Sequence, residues 1–419
     1  MSQLEDLPNE SVRQTLEQLL GHSDYKLELA CARGDNYLGV LWRLQLPEQQ
    51  PSLVLKLPPQ NAIRRKQFFA RACFEREILA YEQFLPLLQR YQEQQSVPAS
   101  ECFEHYACCL LTRQDEPNEC LVLEDLCQAG YQLHSRFEPL TPAHVRLVMR
   151  AYAKLHASSL ALKQQQPSVL QHYQQLVDIF EQRREDAALA SYLEELKQSA
   201  LATLCPRQHG TQLQRLQNYF QRGSYPELLR TLLSGSNCEP YAVVCHGDGW
   251  NNNFLYSYNK SKQRDQEEQQ PCPLEVRLVD WQLMRYASPI TDLVYFLFCC
   301  TTRDFRQQHY QQMLQLYYAE LSQQLVRLGV QADQLLPRSA FEQQLLDKGA
   351  AGLLFAMMVL PIVTLSAAQA PDLQAISELI EGGATTNLQG AGFLASSNEL
   401  CYKQRMRDVI LDCVDLNYI

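Results

Sequence analysis

Within about thirty residues, the chain sets two carboxylates and an amide where they could transfer a phosphoryl group. In VCHGDGWNNNFLY, residues 244–256, an apolar strand delivers His246, Gly247 and Asp248 into a loop, and Asn253 follows five residues later at the next strand. A loop of that size aims two polar side chains at one point. Downstream, LEVRLVDWQ alternates apolar and polar residues until Asp280 ends the strand with a carboxylate facing the same cleft. Phosphoryl transfer needs little covalent help; it needs metal bridging the phosphates, an acceptor hydroxyl held in line and a base nearby. Magnesium prefers hard oxygen ligands and takes one or two from carboxylates. The spacing therefore predicts Asp280 and the Asn253 amide oxygen as magnesium ligands, and Asp248 as the residue that orients and deprotonates the acceptor.

These residues need elements to hold them. Three short apolar runs, YKLELACA at 25–32, YLGVLWRLQL at 37–46 and SLVLKLP at 52–58, predict an antiparallel meander. A helical stretch follows from about Ala62 to Leu88, with Phe69, Cys73, Ile78, Tyr81 and Leu85 on its apolar face. Two further strands, ACCLLTR and ECLVLEDL, complete the first half. Beyond Leu126 the pattern is helical and poor in glycine, as in PAHVRLVMRAYAKLHASSLALK at 142–163, interrupted by a strand-rich island: YAVVC, NFLY and LEVRLVD. Within the island, 257–273 is a Gln-rich polar excursion that reads as a solvated insertion.

A chain of 419 residues suits two lobes, each with its own core. The 46% hydrophobic and 20% charged content is that of a globular protein, and the formal charge of −10 argues against nucleic acid or an anionic membrane as partner. Fifteen scattered cysteines without a C-x-x-C spacing predict reduced, mostly buried thiols, and MSQLEDLPNESVRQ does not read as a secretory signal, so a cytoplasmic location is expected. The apolar run at 350–365 is shorter than the roughly 20 residues that span a bilayer. It contains Pro361 and reads as a buried helix.

HGDxxxxN followed by a strand ending in Asp resembles the signature of the aminoglycoside phosphotransferase and choline kinase superfamily. More narrowly, HGDGWNNNFLY, VDWQLMRYASPITDLVYFL, FEREILAYEQFLP and LVLEDL resemble the ecdysteroid kinase-like family over about residues 25–370. The resemblance implies an α+β, bilobal protein-kinase-like fold, with a small antiparallel-sheet N-lobe at 1–126, a hinge at about 121–128, and a larger, mainly helical C-lobe at 127–419. It also implies that Lys56 in LVLKLPP meets the nucleotide phosphates, that Glu77 rather than Glu75 pairs with Lys56, and that His246 organises the loop. Asp292 matches a family aspartate that braces this loop, and it also reads as the N-cap of a helix beginning at Leu293. RGDNYLG stands where kinases carry a glycine-rich phosphate loop, so backbone near Gly34, Asp35, Asn36 and Tyr37 is placed at phosphate, and backbone groups of Glu124 to Leu126 at adenine.

Only eleven residues separate Asp280 from Asp292, with neither D-F-G nor A-P-E, which argues against a peptide acceptor. The expected function is an ATP- and Mg2+-dependent kinase of a small lipophilic alcohol, such as an ecdysteroid or xenobiotic, without an obligate protein partner. The acceptor pocket is expected between the catalytic loop and the material at 160–235 and 340–390. A catalytically silent hormone- or toxin-binding protein of the same fold is the alternative, and transfer of AMP a lesser one. Loss of Lys56, Asp248, Asn253 or Asp280 would favour the silent protein, and all four are present.

Overall fold

The computed structural model describes residues 7–31, 38–47, 50–259, 272–365 and 399–419. Three runs of alternating residues, β1 (Lys26–Leu29), β2 (Val40–Gln45) and β3 (Leu53–Leu57), pair antiparallel as the sequence suggests. The two later strands, β4 (Cys109–Arg113) and β5 (Cys120–Glu124), join them in the order β1-β2-β3-β5-β4, which places β5 beside β3 and β4 at the edge.

Side chains alternate across a strand, and this decides where Lys56 goes. Leu53, Leu55 and Leu57 pack on one face with Trp42, Leu44, Cys120 and Val122, under Val12 and Leu16 of helix α1 (Glu10–Leu20). Lys56, between Leu55 and Leu57, therefore points to the other face. There Leu121 and Leu123 join the main core with Phe74 and Ile78.

The helical stretch after β3 is broken where the sequence suggested continuity. Helix α2 (Ala62–Gln67) ends before Phe69, whose φ of 56° is left-handed, and α3 (Ala70–Leu79) starts there in a new direction. A wide turn at Ala80–Phe84 leads into α4 (Leu85–Gln94). Arg76 docks α3 onto the second lobe, donating from Nη1 to the Met284 carbonyl and from Nη2 to that of Val177, each at 2.9 Å.

The second lobe is mainly helical, centred on α5 (Pro142–Gln165), which is buried along most of its length. The strand-rich island is two small sheets. In one, β6 (Tyr131–Leu133), β8 (Phe254–Tyr258) and β9 (Pro273–Leu278) pair in that order; in the other, β7 (Val243–Cys245) pairs with β10 (Arg285–Ala287). Sequence reading found neither β6 nor β10, because three-residue strands carry too little periodicity.

The apolar helix Ala350–Val363 is buried as expected, with Pro361 inside it. Among the described residues no single helix is long and apolar enough to cross a membrane. Seven cysteines are buried, three half-buried and five exposed, so the expectation of mostly buried thiols is corrected. The exposed Cys108 and Cys127 lie in the loops flanking β4 and β5.

Candidate active site

Lys56 crosses the cleft between the lobes. Its Nζ donates to Glu77 Oε2 at 2.6 Å and to Asp280 Oδ1 at 2.7 Å. Glu75, two residues from Glu77 on α3, instead pairs with Arg71 at the surface. Burial pushes the ammonium pKa down, but the Asp280 and Glu77 carboxylates outweigh it and hold Lys56 above the ordinary lysine value. Burial pushes Glu77 up while Lys56 pulls it back, with a net upward shift.

Asp280 follows β9 with φ 68° and ψ 69°, a left-handed conformation uncommon for residues other than glycine. Backbone strain of this kind persists where surrounding structure fixes it, and it gathers at functional sites. Here the next residues close at once into the turn Trp281–Leu283, which packs against α3.

His246, Gly247 and Asp248 leave β7 and are held from two sides. His246 Nε2 donates to the Val279 carbonyl at 3.0 Å, and its Nδ1 accepts from the Asp248 N–H at 3.3 Å. The ring is therefore the neutral Nε2–H tautomer, in keeping with a pKa lowered chiefly by burial. It ties the Asp248 loop to the residue just before Asp280. On the other side, the Asp292 carboxylate accepts the His246 N–H at 2.8 Å and the Gly247 N–H at 3.0 Å. Burial acts to raise the Asp292 pKa, but the hydrogen bond from His156 leads the effects that hold it below the usual carboxylate range.

The expectation that Asp292 is an N-cap is wrong. The helix runs Ile290–Cys300, so Asp292 is its third residue. Ser288 supplies the start, its Oγ accepting the Ile290 N–H at 3.3 Å. Released from capping, the carboxylate can brace the loop.

Tyr295, one turn further along this helix, donates its hydroxyl to Asp248 Oδ1 at 2.9 Å. The i and i+3 positions share a helix face, so Asp292 and Tyr295 together hold three consecutive loop residues. Asp248 is 6% exposed, and burial first, then the nearby Asp280 carboxylate, push its pKa up to about 7, against the hydrogen bonds from Tyr295 and Asn253. Asn253 Nδ2 donates to the Asp248 carbonyl at 3.0 Å, which leaves its amide oxygen as the acceptor. A carboxylate and an amide oxygen are a donor pair suited to a hard divalent cation.

Gly247 has φ 90°, and a Cβ there would lie 2.0 Å from the Leu283 carbonyl oxygen. Gly247→Ala is expected to lower stability by at least about 2 kcal/mol and to disorder the Asp248 loop. A urea melt checks this; a midpoint equal to that of the wild type would contradict the packing described.

Asn253, Asp280, Lys56 and Glu77 line one cleft of about 860 Å³, counted out to its open mouth, together with Glu124, Asp125, Leu126 and Cys127. The Glu124 N–H is taken by the Cys108 carbonyl, and the Leu126 carbonyl by the Tyr131 N–H, each at 2.9 Å. Asp125 locks this segment: its carboxylate accepts from Arg43 Nε at 2.6 Å, Ser52 Oγ at 2.7 Å and the Cys127 N–H at 3.1 Å. Of the sequence-predicted phosphate loop, Arg33, Gly34, Asp35, Asn36 and Tyr37 lie outside the described residues, as do residues 366–390 of the expected acceptor region.

Sequence reading missed three residues. Tyr295 lies inside the apolar run LVYFLFCC, which reads as core far more readily than as part of a site. His156 sits in the middle of α5, donating from Nε2 to Asp292 at 3.2 Å and meeting the Tyr317 hydroxyl at 2.8 Å. Its signal was a histidine on an otherwise apolar helical face. Asp125 stood within the proposed adenine segment, but only its backbone was considered.

Two lobes, an antiparallel sheet facing a helical body, and a buried lysine–glutamate pair reaching across to a strand-end aspartate define a protein of the kinase-like α+β class. The chain belongs to the ecdysteroid kinase-like family, whose model matches residues 33–330. No curated protein matches it. Among solved structures it is similar to the ethanolamine kinase of Plasmodium vivax, at 10% identity over 96% of this chain and 93% of that one, with a TM-score of 0.41. A spectinomycin phosphotransferase in complex with ADP and spectinomycin gives 12% identity, 91% and 97% coverage and a TM-score of 0.40. The GDP complex of an aminoglycoside 2'-phosphotransferase gives 12% identity, 95% and 99% coverage and a TM-score of 0.41.

Proposed function

We propose that this chain is a cytoplasmic small-molecule kinase that transfers the terminal phosphoryl group of ATP, with Mg2+, to a hydroxyl of a lipophilic alcohol such as an ecdysteroid or a xenobiotic. The observation that carries the reading is the convergence of Lys56, Glu77, Asp280 and Asn253 on one cleft, beside a buried Asp248 held by Tyr295. We place the lobe boundary at 126/127.

In this reading the Glu124 carbonyl and the Leu126 N–H take the adenine edge, since their other backbone groups are occupied. Lys56, steadied by Glu77, meets the donor phosphates. Asp280 and the Asn253 amide oxygen hold magnesium, which supplies charge neutralisation on the phosphates. Asp248 accepts the proton of the acceptor hydroxyl as its oxygen bonds to the terminal phosphorus and the bond from phosphorus to the departing ADP oxygen breaks. With Oδ1 occupied by Tyr295, Oδ2 is the atom that receives this proton. His246 and Asp292 act through Asp248, by fixing its loop.

A small acceptor is favoured over a peptide because the eleven residues between Asp280 and Asp292 are used up by the turn Trp281–Leu283, by β10 and by the start of the following helix. They leave no segment on which a peptide could lie. A lipophilic acceptor fits the aromatic surroundings of the base: Tyr295 stacks on Phe355 with ring centroids 4.3 Å apart.

Calorimetric titration with ATP and Mg2+ tests the nucleotide half of this reading. Saturable one-site binding that requires the divalent cation is the expected result. A flat titration would remove the kinase reading in favour of a catalytically silent binding protein.

A further inference from the structure

Lys56 holds the same carboxylate that the kinase reading assigns to the metal. Its Nζ lies 2.7 Å from Asp280 Oδ1, with the lysine side chain 4% exposed and that of Asp280 15% exposed. Asp280 has little freedom to offer its carboxylate elsewhere, because its left-handed backbone is fixed between β9 and the turn Trp281–Leu283. Among the described residues Lys56 is its one ion-pair partner. Glu77, by contrast, is fully buried on α3 and holds the same Lys56 Nζ at 2.6 Å.

Resting on the kinase reading, we propose that Lys56 latches Asp280 while the cleft is empty, so that the site accepts a divalent cation as its nucleotide complex and scarcely by itself. A cation on Asp280 would stand within a few ångströms of the ammonium, and like charges that close repel strongly at a site with little water. The polyphosphate is the group that resolves the conflict. Its oxygens take over the ammonium from Asp280 while Glu77 keeps it anchored. Glu77 is then a pivot, and removing it leaves Lys56 to Asp280 alone.

The arrangement makes opposite predictions for two neighbours. Mn2+ without nucleotide, followed by the loss of the free-ion paramagnetic resonance signal, is the probe. Lys56→Met frees Asp280 and is expected to bind Mn2+ alone at least about tenfold tighter than the wild type. Because Lys56→Met strands the buried Glu77 carboxylate, Lys56→Met with Glu77→Gln is measured beside it, and the same gain is expected. Glu77→Gln by itself is expected to bind Mn2+ alone no tighter than the wild type. With ATP present, Lys56→Met is expected to bind the Mn2+ complex at least about tenfold more weakly, through loss of the phosphate contact.

A gain absent from both Lys56 variants, a gain in Glu77→Gln, or a gain that survives addition of Asp280→Asn would each overturn the latch. Failure of the wild type to bind Mn2+ with ATP would instead overturn the kinase reading, and the Mn2+-only measurements would still decide the Lys56–Asp280 competition.

Discussion

Asp248→Asn is expected to lower turnover of the acceptor by about 10³-fold or more while leaving ATP affinity within about twofold, since a positioned general base contributes roughly 10²–10⁴. The substitution keeps shape and keeps an oxygen to accept the Tyr295 hydroxyl, but it removes the atom that takes the proton. Asn253 Nδ2 donates to the Asp248 backbone carbonyl, which the substitution leaves unchanged, so its amide oxygen stays in place. Stability should not suffer. A buried carboxylate with its pKa pushed up to about 7 binds protons more tightly folded than unfolded. Its contribution to stability is present at acid pH and is lost as pH rises through about 7. At pH 8 the aspartate is therefore a charge buried at a cost, and the asparagine variant should melt no lower than the wild type.

The same shift bears on rate. The acid limb of kcat/KM for the wild type is expected below pH 7, because part of the upward push comes from the Asp280 carboxylate, and that part disappears once Asp280 is neutralised by a cation. Asp248→Asn should abolish this limb along with the activity. Turnover near the wild-type value in Asp248→Asn would remove Asp248 as the base.

The second large effect belongs to Asp280. Asp280→Asn is expected to lose metal-dependent ATP binding by about 10²–10³-fold, the size expected when several kcal/mol of metal-borne charge stabilisation is removed. Asparagine is the right replacement because it tolerates a positive φ better than alanine, so the turn Trp281–Leu283 should survive. Lys56 keeps its bond to Glu77, so the cation is not left alone in the interior. Expected readouts are an unchanged far-ultraviolet spectrum and an ATP titration that no longer responds to Mg2+. A variant that still required Mg2+ with wild-type affinity would place the metal elsewhere.

The parts of the molecule legible in the sequence were those with strong local pattern. The family resemblance marked Lys56 in LVLKLPP, and the structure sets it on the face opposite Leu55 and Leu57; the pairing of β1, β2 and β3 follows the spacing of three apolar runs. The fixed interval between Asp248 and Asn253 was visible because both lie on one short loop. What escaped notice depended on contacts between distant segments. Tyr295 looked like core because its ring is core, stacked on Phe355; only its hydroxyl reaches Asp248. His156 lies some ninety residues from the loop it supports, and no local rule ties it to Asp292.

Asp292 shows how a local rule can mislead. An acidic residue before LVYFL is an ordinary N-cap signal, but Ser288 and Pro289 had already opened the helix. The break at Phe69 is a second case. The apolar face drawn through Phe69 and Cys73 was continuous in sequence, while the left-handed Phe69 turns α3 so that Glu77 and Arg76 face the second lobe. Such a turn has no signature in a run of good helix formers.

The central claim is that Asp248 serves phosphoryl transfer to a small alcohol. Its most direct test is mass analysis of steroid and xenobiotic alcohols incubated with ATP, Mg2+ and either the wild-type chain or Asp248→Asn. The expected result is a product heavier by one phosphoryl group, formed by the wild type and not by the variant. A nucleotide adduct, an equal yield from Asp248→Asn, or no mass gain in any alcohol tested would contradict it.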